Sequence, residues 1–279
     1  MEGYFEKTAV LTPSQCDASS RLSLYSTFVL FQDIASEHAE RLGIGGAAMA
    51  AKGLFWLTVR TRVKVYHRPS LMQEVRIRTW LGEFAPGDLR TDRFYTMTCG
   101  GRLVAEGRTE WAVLRLADHG VARMREVGIP DVEICPDKVC DAPFSRFRGE
   151  FAPEDLAMEH VVRPSDVDMG HHMNNTAYVR ALLDTFTVEE LLALRPAEFE
   201  ICFRQACFGG DTLTLRRQTQ ENGFRFAVLR PDGKDAALAQ MFRARDRGES
   251  PRRWPRKRRA SAAFSARPAA PRRLRPRCR

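Results

Sequence analysis

Residues 165–178 read Ser165-Asp166-Val167-Asp168-Met169-Gly170-His171-His172-Met173-Asn174-Asn175-Thr176-Ala177-Tyr178. They lead into apolar positions at Tyr178, Leu182, Leu183 and Phe186, whose spacing predicts an amphipathic helix. A helix start leaves backbone N–H groups unpaired and gathers the positive end of the helix dipole, which is a place to polarise a carbonyl. A carboxylate and an imidazole four residues apart, Asp168 and His172, can there handle a water or a proton. The plainer reading of Asp166, Asn174 and Asn175 is that they cap the helix.

The segment has an echo upstream. Aligning Asp17 with Asp166 without a gap also aligns Ser26 with Asn175 and Thr27 with Thr176. The upstream copy enters a helix too, with Leu24, Phe28, Phe31, Ala35, His38 and Leu42 at helical spacing and Gly43 ending the pattern. Alternating segments follow each helix. In the first half they are 59–65, 74–80, 90–99 and 101–115; in the second, 198–207, 211–218, 223–230 and 235–243. Thr187-Val188-Glu189-Glu190 resembles a capping box opening a short further helix. Each half is therefore expected to be one long helix followed by four or five antiparallel strands whose apolar face the helix covers, an α+β fold. The prolines and weak periodicity of 121–157 predict a linker between a first domain at 1–120 and a second at 158–246, with a first strand of the second domain near 158–163.

The net charge of +9 is misleading. Thirteen of the 44 basic residues and one of the 35 acids lie in 247–279, so 1–246 holds 31 bases against 34 acids and is mildly acidic. The high charge is thus no sign of a nucleic-acid-binding body. The Arg/Pro-rich stretch 247–279 is expected to be disordered. No run of about 18 apolar residues predicts a membrane span, and no charged-then-apolar start predicts a secretory signal. Seven cysteines without a dense framework suggest reduced thiols and a cytoplasmic protein. Cys135/Cys140 and Cys202/Cys207 lack zinc-site spacing, so neither metal nor cofactor is expected.

Taken together, the 165–178 segment, Phe31-Gln32-Asp33-Ile34-Ala35, Leu42-Gly43, Trp56, Arg76-Ile77-Arg78-Thr79-Trp80 and Thr109-Glu110-Trp111 resemble the acyl-acyl carrier protein (acyl-ACP) thioesterases over roughly residues 5–243. The resemblance implies tandem hot-dog domains, hydrolysis of acyl-ACP to free fatty acid, and acyl carrier protein as partner. The catalytic set it implies is Asp-x-Asn-x-His in the second domain plus a Glu near a later strand. Asp168 and His172 match that set; Gly170 stands at the Asn position and Ala206 at the Glu position, followed by Cys207. Cys207 is either a thiolate nucleophile beside His172 or a small buried hydrophobe.

A thiol leaves readily, so the demanding step is directing water, or the Asp168 carboxylate itself, at the thioester carbon, with His172 orienting or shuttling the proton. Backbone N–H groups near Asn174, Asn175 and Thr176 would hold the oxyanion. Phe28, Phe31 and Trp56, with Phe55, either line an acyl tunnel or fill an ordinary core. Arg60, Arg62 and Lys64 share one strand face and Arg76 and Arg78 another; as neighbours these would form a patch for an acidic carrier, and otherwise they are the solvated outside of a sheet. An acyl-CoA thioesterase and a degenerate acyl-binding protein are the alternatives, and a homodimer is left open.

Overall fold

The computed structural model describes residues 3–147 and 150–244. Its elements are β1 (Tyr4–Val10), α1 (Leu24–Arg41), α2 (Gly46–Ala51), β2 (Leu54–Val65), β3 (Glu74–Leu81), β4 (Arg90–Cys99), β5 (Arg102–Arg115), α3 (Met124–Val127), β6 (Leu156–Val161), α4 (Asn175–Leu183), α5 (Val188–Leu194), β7 (Pro196–Phe203), β8 (Thr212–Gln220), β9 (Gly223–Leu229) and β10 (Asp235–Arg243). One strand thus precedes each long helix and four follow it. The edge strand β1 was missed in the sequence because its burial follows no clean alternation. The basic stretch expected to be disordered, 247–279, lies outside the described residues.

All ten strands form one antiparallel sheet in the order β1-β3-β4-β5-β2-β7-β10-β9-β8-β6. Each half has the same internal order, and the two meet back to back where β2 pairs with β7, Arg62 opposite Glu200. Each half is a helix packed on an antiparallel sheet, the tandem hot-dog class. α1 starts at Ser23, whose side chain accepts the Ser26 N–H, and ends where Gly43 takes a positive φ of 68°. Its apolar face, Leu24, Phe28, Phe31, Ile34 and Ala35, is buried in a core shared with α4 residues Ala177, Tyr178, Ala181 and Leu182.

The strand order overturns the docking patch. β5 and β4 lie between β2 and β3, so the two basic stripes do not adjoin. Arg76 and Arg78 share Glu6, Arg60 lies 3.9 Å from Glu110, and Arg62 is buried. Arg62 donates to Glu200 and to the carbonyls of Ala142 and Pro143, both at 2.8 Å, with Glu198 at 3.3 Å. Glu200 in turn accepts the Ser145 N–H at 2.6 Å. A residue read as surface therefore ties the connecting segment across the junction of the halves.

α1 also carries one buried ionisable group. His38 is 3 % exposed and accepts a hydrogen bond from Arg93 Nη1 on β4 through Nδ1 at 3.0 Å, with Phe5 of β1 stacked on its ring. Burial, reinforced by Arg93 and Arg41, pushes its pKa down to about 4. Because this lies below the unfolded value of about 6.5, the unfolded chain takes up the proton first, so the stability present above that value is lost as pH falls toward 4. We expect about 2 kcal/mol less stability from this group at pH 5 than at pH 7.5. Urea unfolding of His38→Gln, which keeps an acceptor but does not titrate, should show that much less acid sensitivity than the wild type.

Candidate functional site

The turn before α4 is built by Asp168. Its N–H donates to the His172 carbonyl at 3.0 Å, its carbonyl accepts from His171 N–H at 3.0 Å, and its Oδ1 accepts the Gly170 N–H at 2.8 Å. His171 takes the left-handed conformation this loop needs (φ 60°), leaving its own side chain exposed. The loop folds His172 back over the acid, Nδ1 lying 3.7 Å from Asp168 Oδ1. Both side chains are about one-quarter exposed, within reach of solvent.

Asn174 caps α4 and positions Asp168 at once. Its Oδ1 accepts the Thr176 N–H at 2.8 Å and the Thr176 hydroxyl at 2.7 Å, which turns Nδ2 toward Asp168 Oδ2, 3.3 Å away. Asn175 Nδ2 donates to Thr58 Oγ1 on β2 at 2.9 Å, Gln32 Nε2 of α1 reaches Asn174 at 3.4 Å, and Phe55 of β2 meets the His172 ring edge-on at 5.6 Å. The first half therefore packs directly against the site through Thr58, Gln32 and Phe55. Gln32 was visible within the quoted Phe31-Gln32-Asp33 motif; Thr58 carried no signal. Asp166 belongs elsewhere. It is buried, accepting from Arg163 N–H at 2.7 Å and pairing with His160 and Arg180.

A side chain at Gly170 would press on the Asp168–His172 pair and make the imidazole shift. A Cβ there would stand 2.9 Å from His172 Nε2 and 3.1 Å from Asp168 Oδ1. The Asp–His pair closes over the position where the resemblance calls for Asn. Ala206 is exposed, and its loop meets the site through the Cys207 carbonyl, which accepts from Met173 N–H at 2.8 Å. The Cys207 side chain is fully buried in the main core, where burial pushes its thiol up against a hydrogen bond with Tyr178. Those surroundings disfavour a thiolate.

The aromatic candidates are packed. Phe28 meets Phe199 edge-on at 5.7 Å, and Phe31 stacks on Tyr95 at 4.9 Å over Gly107, whose missing side chain makes room for the ring. Trp56 donates to the Ile44 carbonyl at 2.8 Å and abuts Trp111 in a second apolar cluster. Among the described residues, no group of three or more His, Cys, Asp or Glu side chains is placed to hold a metal ion, and no helix is long and apolar enough to cross a membrane.

The first half contains a twin of this turn, two residues out of register with the sequence echo. Asp17 N–H bonds the Arg21 carbonyl at 2.9 Å, Ser19 N–H bonds Asp17 Oδ1 at 2.9 Å, and Ser20 has φ 58°. The counterpart of Asp168 is thus Asp17, of Gly170 Ser19, of His172 Arg21, and of Asn174 Ser23. Burial raises the Asp17 pKa, but Ser19 and the paired Arg68 guanidinium outweigh it and hold the acid below the usual range.

Comparison with known proteins agrees with this architecture. Dodecanoyl-[acyl-carrier-protein] hydrolase of Cinnamomum camphora is 23% identical over 224 residues, 73% of this chain and 56% of its own length. Oleoyl-acyl carrier protein thioesterase 2 of Arabidopsis thaliana is 21% identical over 197 residues, 65% of this chain and 54% of its own. The chain spans about half the length of these curated relatives. Among solved structures, an acyl-ACP thioesterase from Bacteroides thetaiotaomicron superposes with TM-score 0.76 at 21% identity, covering 86% of this chain and 97% of that one. The 12:0-ACP thioesterase from Umbellularia californica superposes with TM-score 0.74 at 17% identity, covering 87% and 97%. With the acyl-ACP thioesterase N-terminal domain family matched over residues 3–125 and its C-terminal domain family over 151–242, this chain belongs to the acyl-ACP thioesterase family.

Proposed function

We propose that this chain hydrolyses the thioester of an acyl group carried on acyl carrier protein and releases the free fatty acid. The observation that carries this reading is the convergence of Asp168 and His172 at the start of α4, held there by Asn174 and packed against β2 of the other half. Asp168 activates water or attacks the carbonyl carbon itself, and His172 moves the proton. Of the three N–H groups expected to hold the oxyanion, that of Asn174 is spent on the Asp166 carbonyl and that of Thr176 on the Asn174 side chain. The Asn175 N–H, at the first position of α4, is the one left for it, supported by the helix dipole. Family membership and the activities for which the relatives are named support the substrate class.

The test is to incubate the full chain with matched acyl-ACP and acyl-CoA thioesters and identify free acids by mass spectrometry. Release from the carrier-protein esters is expected; release confined to the CoA esters would replace the substrate, and tight carrier binding without turnover would favour the degenerate binding protein that Gly170 and Ala206 suggest. Cys207→Ala should retain most of the turnover, because a neutral core thiol contributes packing and not attack. A loss of a hundredfold or more in its steady-state rate would restore the thiol as nucleophile.

A further inference from the structure

The twin turn of the first half opens beside a cleft of about 140 Å³, lined by Leu24 and Tyr25 of α1, Leu183 of α4 and Val188, Leu191 and Leu192 of α5. Val188 and Leu192 stay more than one-third exposed at its edge. The volume is comparable to dry cavities of about 150 Å³ that hold one small apolar molecule, so it fits the end of an alkyl chain. At the polar end stand Arg68, Asp17 and Ser23. Arg21, the counterpart of His172, adjoins them and donates from Nη1 to the Arg68 carbonyl at 2.9 Å. Arg68 gives Nε to the Leu22 carbonyl and Nη2 to Asp17, and no described group engages its Nη1. Arg68 is thus ion-paired with Asp17, while Arg21, just outside the cleft lining, brings a second guanidinium to the Arg68 backbone, so this end carries two cations for one carboxylate.

An apolar slot ending in unspent guanidinium donors suits an amphiphile with a carboxylate head. With Arg21 replacing the imidazole and Asp17 committed to Ser19 and Arg68, the twin has no free base to direct water. We propose that this cleft is a second, non-hydrolytic site that binds a free fatty acid, its carboxylate on Arg68 and Arg21 and its chain between α1 and α5. The assignment of the ligand rests on the thioesterase reading, since a free fatty acid is that reaction's product. The site itself rests on the cleft and its charge.

The full chain would be photolabelled with a ten-carbon fatty acid bearing a diazirine, and the labelled peptides mapped by mass spectrometry. Labelling is expected within 183–196 and around Leu24, suppressed by decanoate but not by decanol. Leu191→Trp, which fills the cleft, and Arg21→Ala, at the exposed head end, should each reduce that labelling at least fivefold while labelling near His172 persists. No label in these segments, equal competition by decanol, or indifference to both substitutions would overturn the site. Labelling here in a chain that hydrolyses no acyl thioester would leave this site standing and remove the thioesterase reading instead.

Discussion

Asp168→Asn is expected to lower turnover of acyl-ACP by about 10²–10⁴, the range a positioned acid or base supplies. Asparagine is the informative replacement because it preserves most of what Asp168 does structurally, giving up only the acceptor for Asn174 Nδ2. Its side-chain oxygen still accepts the Gly170 N–H, and Asn forms the same turn that Asp does. A residue that only shaped the loop would therefore tolerate the change, with turnover near wild type and only a small drop in melting temperature from the lost Asn174 contact. A base or nucleophile would not, since an amide neither takes a proton at neutral pH nor attacks a thioester. His172→Ala should fall by a similar factor. The double variant should be no worse than about the poorer single, because two groups serving one proton transfer fail as a unit. The 3.7 Å between His172 Nδ1 and Asp168 Oδ1 is too long for a hydrogen bond, but such contacts tighten when substrate is bound. Steady-state kinetics on one acyl-ACP measures all three.

Much of this centre could be read from residues alone, because its parts are contiguous: acid, imidazole and cap fall within seven positions and their roles follow from a helix start. The strands were legible for the same local reason, alternation bounded by turn residues. What failed was whatever depended on strand order. Arg60, Arg62, Arg76 and Arg78 alternate like exposed positions, and nothing local reveals that β2 joins the other half and buries Arg62 under the connecting segment. The internal repeat failed differently. Aligning by residue identity put Asp17 on Asp166, whereas the shared hydrogen bonds of the two turns put it on Asp168. Identity found the right helices at the wrong register, since its matches, Asp17 with Asp166 and Thr27 with Thr176, pair positions that stand two residues apart in the two turns. The core reading of Phe28 and Phe31 likewise needed their partners, Phe199 and Tyr95, which lie far away in sequence.

The buried junction gives the second large effect. Glu200→Ala is expected to cost about 3–5 kcal/mol, because Arg62 would keep its charge inside the protein with only the partly exposed Glu198 to balance it. Arg62→Met should cost a similar amount for the opposite reason, stranding Glu200, which is completely buried. Replacing both, as Arg62→Met with Glu200→Leu, removes the two desolvated charges together and should be milder than either single, so the pair shows a coupling of about 2 kcal/mol or more in urea unfolding. It should not return to wild-type stability. The Ala142 and Pro143 carbonyls and the Ser145 N–H now bonded to the pair would lose those partners under the connecting segment. That residue of instability measures how much of the ion pair's worth lies in holding the connection against the sheet. Arg62 lies on β2, the strand whose Thr58 also contacts Asn175 of α4 and whose Phe55 contacts His172 in the turn before that helix. A loosened junction should therefore weaken substrate positioning as well, raising KM in Glu200→Ala while the double variant recovers part of it.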